Sequence, residues 1–109
     1  MAQAKTLTQA EVDQVLRYIA PKKFGYRDRA LVLTSLWSGM RVGEISSLRI
    51  KDVTNPDGSI KHEVRLSAEQ TKGKNPRTVF LPEKLRTELS TYLGQRYAKL
   101  PDLPLFFTS

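Results

Sequence analysis

Leu36-Trp37-Ser38-Gly39-Met40-Arg41-Val42-Gly43-Glu44-Ile45-Ser46-Ser47-Leu48 is the stretch that organises this chain. Gly39 can take φ > 0, so one helix can end there and another begin at an angle. Arg41 then falls in the first turn of the new helix. Free N–H groups and the positive end of the macrodipole already favour an anion at such a place. An arginine adds a planar fork of donors suited to phosphate or carboxylate. Glu44, three residues on, can share a helical face with Arg41. By spacing alone this is a helical hairpin carrying a surface Arg–Glu pair; an anion site is the second reading.

Helical and strand patterns extend outward from this stretch. Upstream, Tyr26 to Ser38 reads as a helix whose apolar surface (Ala30, Leu33, Thr34, Trp37, broadened by Leu31, Val32 and Leu36) suits a central position. Before it, Thr8 and Glu11 have capping-box form, and Val12, Val15, Leu16 and Ile19 keep a helical period over residues 9–20 until Pro21. Downstream, the Arg41 helix is expected to reach about Leu48 or Arg49, and Ile50 to Val53 to add a short strand. Asn55-Pro56-Asp57-Gly58 is a turn. Ile60 to Leu66 alternates apolar and polar, and Arg77 to Leu81 returns, so residues 60–81 read as a β-hairpin around the basic loop Thr71 to Pro76. Pro82 suits a helix start, and Leu85, Leu89 and Leu93 predict a helix over about 83–99. Leu105-Phe106-Phe107 is an unusually apolar end. The expected class is α+β, mostly α, with a small antiparallel sheet.

Composition narrows the partner. The chain has 109 residues, with 18 Lys and Arg against 11 Asp and Glu, a formal charge of +7 that suits a polyanion. It contains no cysteine, which excludes disulfides and thiol catalysis. No run approaches the ~18 apolar residues needed to span a bilayer, so no membrane partner is expected.

Ser38-Gly39-Met40-Arg41-x-x-Glu44-x-x-x-Leu48, continuing into Lys51-Asp52-Val53, resembles the first arginine motif of the tyrosine recombinases, the phage integrases. Thr71-Lys72-Gly73, followed by Arg77 to Pro82, resembles the family's lysine hairpin, in the expected order. The resemblance implies that Arg41 binds the scissile DNA phosphate. It also implies that Lys72 reaches the minor groove as a general acid, that Glu44 orients the arginine helix, and that Lys74 and Arg77 contact phosphate or stay solvated. Duplex DNA is the implied partner, in a prokaryotic or phage-encoded protein of the cytoplasm. No cofactor or metal is implied. The family's His-x-x-Arg block and tyrosine nucleophile have no match. His62-Glu63-Val64-Arg65 has that spacing, yet it precedes the lysine motif and lies on an expected strand, where i and i+3 face opposite ways. Tyr18, Tyr26, Tyr92 and Tyr97 occupy no matching position. Residues 1–109 are therefore read as a single, partial catalytic domain, inactive in strand cleavage alone. The alternative is a non-catalytic DNA-binding regulator derived from an integrase. A partial domain is expected to expose apolar surface on the Trp37 helix and on the Leu85-Leu89-Leu93 face, or to pair two copies as a homodimer through those faces or through Leu105-Phe106-Phe107.

Overall fold

Thr8 caps the first helix in both directions. Its Oγ1 accepts from the Glu11 N–H (3.1 Å) and its own N–H donates to Glu11 Oε1 (2.9 Å), starting α1, Gln9–Ile19. The computed structural model describes residues 7–71, 73–96 and 99–107. In chain order follow α2 (Gly25–Ser38), α3 (Val42–Ser46), α4 (Ile50–Val53), β1 (Glu63–Leu66), a 3₁₀ turn (Ala68–Gln70), β2 (Arg77–Phe80) and α5 (Glu83–Gln95). The two strands pair antiparallel, Glu63 opposite Phe80 and Leu66 opposite Arg77. The expected class, mostly helical with a small antiparallel sheet, is the one observed.

The core lies where α2 packs on α5 and the hairpin closes over both. Leu85 and Leu89 of α5 meet Ala30 of α2, Ile45 of α3, Val53 of α4, Val64 and Leu66 of β1, and Val79 of β2. Arg29 of α2 fixes α5 with a two-bonded pair to Glu88, 2.7 and 3.2 Å. Trp37 is half-buried against this core, with the Lys84 ammonium 4.4 Å from its ring centroid. Gly25 marks a close approach: a Cβ there would stand 2.6 Å from the Ala20 carbonyl oxygen.

Four local expectations are corrected. Arg41 is not inside a helical turn: it is the extended N-cap residue of α3 (φ −78°, ψ 157°), and α3 ends at Ser46 instead of Leu48 or Arg49. Hydrogen bonds explain the early end. Ser47 Oγ donates to the Glu44 carbonyl at 2.7 Å, and the Leu48 carbonyl accepts from Leu105 N–H at 2.8 Å. Second, Ile50–Val53 is a helical turn and not a strand, because Asp52 Oδ2 accepts the Arg49 N–H (2.9 Å) as an N-terminal cap. Third, α5 stops at Gln95, where Arg96 turns extended and its Nη1 donates to the Pro104 and Leu105 carbonyls, both at 2.7 Å. Fourth, the Leu85-Leu89-Leu93 face is not exposed: the three are 0%, 1% and 7% accessible, covered by this chain's own hairpin and C-terminal segment.

That segment is the largest departure from expectation. Leu105 is fully buried and Pro104 bridges Arg49. Phe106 stacks on Tyr92 at 5.4 Å, and Phe107 meets Phe24 edge-on at 5.2 Å. Exposed apolar surface does lie on the Trp37 helix, at Leu31 and Leu36, in a groove of about 720 Å³ whose lining also includes Val15, Val42 and Phe107. Val42 is 79% accessible.

Candidate nucleic-acid interface

Gly39 closes α2 in the left-handed region (φ 74°) and turns the chain sharply. Ser38 Oγ holds the turn, donating to the Thr34 carbonyl (2.6 Å) and accepting Met40 N–H (3.1 Å). Met40 is buried, so its neighbour Arg41 is set out at the surface. Among the described residues the Arg41 guanidinium forms no ion pair and no side-chain hydrogen bond.

The acid expected to face it is committed elsewhere. Glu44 is buried, with its side chain 4% accessible. Its Oε1 accepts the Arg41 backbone N–H at 2.9 Å and Arg77 Nη2 at 2.6 Å; its Oε2 accepts Arg77 Nε at 3.1 Å. The two hydrogen bonds from Arg77, chiefly, hold the Glu44 carboxyl below its ordinary value of 4.5, against the upward push of burial; the Arg41 N–H adds to them. A bidentate guanidinium–carboxylate pair is geometrically demanding and strong. It joins the N-terminus of α3 to the first residue of β2.

A second tie reinforces the first. Gln70 Nε2 reaches the Ser47 carbonyl (3.4 Å) and Asp52 Oδ2 (3.3 Å), while its Oε1 accepts Ser67 N–H (2.9 Å). The sequence reading passed over Gln70, though Ser67-x-x-Gln70 is a capping-box spacing. In the loop, Thr71 is buried and its Oγ1 donates to the Asn75 carbonyl at 2.9 Å. Lys74 takes a left-handed conformation (φ 60°) and is exposed. Lys72 lies outside the described residues. Arg49, Lys51 and Arg65 line a shallow groove of about 590 Å³ between this loop unit and the α3–α4 turn.

The remaining ionisable groups have local duties. His62 Nε2 lies 3.0 Å from Arg86 Nη1. Tyr18 is exposed beneath the Lys22 ammonium, 4.4 Å from its centroid. Tyr92 is buried and donates to the Leu105 carbonyl at 2.6 Å; burial raises its phenol above the ordinary value, partly offset by Arg96. That is the opposite of what an activated nucleophile needs. Tyr97 lies outside the described residues.

The profile of the phage integrase family matches residues 5–109. The chain belongs to that family, the tyrosine recombinases. Tyrosine recombinase XerA of Pyrococcus furiosus is 34% identical over 99 residues, covering 91% of this chain and 32% of that protein. XerA of Thermococcus kodakarensis is 35% identical over 92 residues, 84% of this chain and 30% of that one. Transposase A from transposon Tn554 of Staphylococcus aureus is 27% identical over 100 residues, 89% and 27% respectively. The chain thus spans about a third of the length of the curated relatives it matches. A crystal structure of XerA recombinase has the same fold at a TM-score of 0.68 and 24% identity, over 99% of this chain and 36% of that one. Among the residues singled out in the sequence, Glu44 is bonded to the Arg41 backbone N–H and to the Arg77 side chain.

Proposed function

We propose that these 109 residues are the DNA-contacting first part of a tyrosine-recombinase catalytic domain, with Arg41 as the residue that grips a backbone phosphate. One observation carries this most directly: inside the family motif, the Arg41 guanidinium is exposed and, among the described residues, without a salt-bridge partner, although an acid stands three positions away. A free, planar, permanently charged fork beside the α3 N-terminus suits a phosphate oxygen pair. Lys72 is proposed as the minor-groove lysine and general acid on its motif alone, and Lys74 as a neighbouring phosphate contact. In a complete enzyme the scissile phosphate would pass from a sugar oxygen to a tyrosine oxygen, and the phosphodiester energy would be kept in the protein–DNA bond without a cofactor. Such a protein would act on DNA in a prokaryotic cytoplasm.

If about 3–5 phosphates are neutralised, the slope of log K against log salt for a duplex is about −3 to −4. Arg41→Ala and Lys72→Ala each weaken binding and flatten the slope. Fluorescence anisotropy across a salt series measures both. Salt-independent binding, or a preference for single-stranded RNA, would count against the recombinase reading. Duplex binding indifferent to Arg41 would favour the non-catalytic regulator.

No residue of this chain is proposed as the nucleophile, and the His-x-x-Arg block is proposed to be missing from it. Incubation with a nicked duplex therefore yields no covalent adduct on a denaturing gel. An adduct would overturn this and direct attention to the exposed Tyr18. The groove lined by Leu31, Leu36 and Val42 is proposed to pair two copies of the chain. Sedimentation velocity is expected to show a species of twice the monomer mass as concentration rises. Leu36→Glu is expected to abolish it; a strict monomer at high concentration contradicts the pairing.

A further inference from the structure

Arg77 and Arg41 both bond one carboxylate, Arg77 through its guanidinium and Arg41 through its backbone N–H. Glu44 lies three residues after Arg41, the extended N-cap residue of α3, and the Arg41 charge is among the causes that hold the Glu44 carboxyl down, so the two groups are neighbours. Both Glu44 oxygens are instead taken by Arg77 from β2, and the remaining contact goes to the Arg41 backbone N–H and not to its guanidinium. Glu44 is buried whereas Arg77 is 45% accessible, so the pair's geometry is fixed from the Glu44 side.

We propose that Arg77 is a positioning residue that occupies Glu44 and so leaves the Arg41 guanidinium free for phosphate. The inference rests on the reading of Arg41 as the phosphate-gripping residue. It departs from the expectation from the resemblance that Arg77 itself touches phosphate: its Nε and Nη2 both donate to Glu44, within 3.1 Å. Without Arg77, the carboxylate is buried and lacks its fork of donors. A replacement is at hand in the Arg41 side chain, whose own backbone N–H already bonds Glu44, and an Arg41 paired there is neutralised toward DNA. The hairpin residue thus controls the phosphate site without touching the ligand.

A double-mutant cycle on duplex DNA separates the two roles. If Arg77 acts through Glu44, Arg77→Met alone weakens binding by roughly tenfold and flattens the salt slope by about 0.9, the share of one phosphate. In the Glu44→Gln background, where no carboxylate remains to capture Arg41, adding Arg77→Met changes affinity by less than about threefold and leaves the slope intact. An equal loss in both backgrounds means that Arg77 contacts phosphate directly and overturns the proposal. The double variant buries no lone charge and is expected to keep its fold; circular dichroism checks this. A readout without DNA uses the Glu44 carboxyl ¹³C titration. In Arg77→Met, adding Arg41→Ala raises its midpoint clearly, whereas in the wild-type background, where Arg77 already holds the carboxyl, the same change moves it little. A midpoint indifferent to Arg41 in both backgrounds also overturns the proposal. Failure of the wild-type chain to bind duplex would strike the functional reading alone, and the titration would still decide the role of Arg77.

Discussion

Arg77→Ala lowers the stability of this domain by about 2 kcal/mol at neutral pH, less than the ~3–5 kcal/mol typical of breaking a fully buried pair. The discount has two causes. Arg77 is half-exposed, so its share of the pair is screened by water. The nearby Arg41 side chain can also turn to the stranded carboxylate. What remains is the cost of a carboxylate with a 4% accessible side chain and without its bidentate donor. Glu44→Gln costs less, since Gln keeps the volume and an acceptor for the Arg41 N–H and leaves Arg77 free to be hydrated. The pH dependence has a defined sign. Arg77 holds the folded Glu44 pKa below the ordinary 4.5, so the pair's contribution is fully present above that value. It is lost as pH falls through the depressed folded value. Wild type and Arg77→Ala therefore differ most at neutral pH and converge in acid as the pH falls through the depressed folded value. Urea unfolding at pH 7 and at the lowest pH where both fold measures this. A difference that stays constant, or grows in acid, would mean that Glu44 is not the group involved.

Leu105→Ala is expected to cost about 3 kcal/mol, within the ~2–5 kcal/mol of Leu-to-Ala changes in cores. Against a total of about 5–15 kcal/mol this is severe for a residue four positions from the end of the sequence. Leu105 is fully buried in the main core, its N–H donates to the Leu48 carbonyl at 2.8 Å, and its own carbonyl accepts Tyr92 Oη at 2.6 Å and Arg96 Nη1 at 2.7 Å. Tyr92→Phe removes only one of the two donors to that carbonyl and keeps the ring packed on Tyr26 and Phe106, so it costs about 1 kcal/mol. The ratio between the two variants is the informative quantity. A near-neutral Leu105→Ala in denaturant titration would mean that the segment docks loosely and that the α2–α5 core closes without it.

Short-range rules account for the elements that came out as expected. The Thr8–Glu11 box, the helical period to Ile19, the Gly39 break, the hairpin strands and the start of α5 each depend on neighbours within about four residues, which the sequence displays directly. The Ile50–Val53 error was of a different kind. Its apolar residues suited a strand, but the Asp52 cap on Arg49 decided for a helical turn. For the site, the motifs marked Arg41 and Glu44, and Glu44 does meet Arg41, through the backbone N–H.

By itself the sequence determined the class of fold, the order of the longer helices and of the hairpin, and the family. Only the tertiary structure decided which arginine Glu44 serves, where α3 and α5 stop, and that the apolar end belongs inside. The reason is common to all three. Arg77 is 33 positions from Glu44, and Leu105 meets Leu48 and Tyr92 from 57 and 13 positions away. These bonds form only after the hairpin and the C-terminal segment have folded back, and no local periodicity encodes which donor will then lie nearest to a buried acceptor.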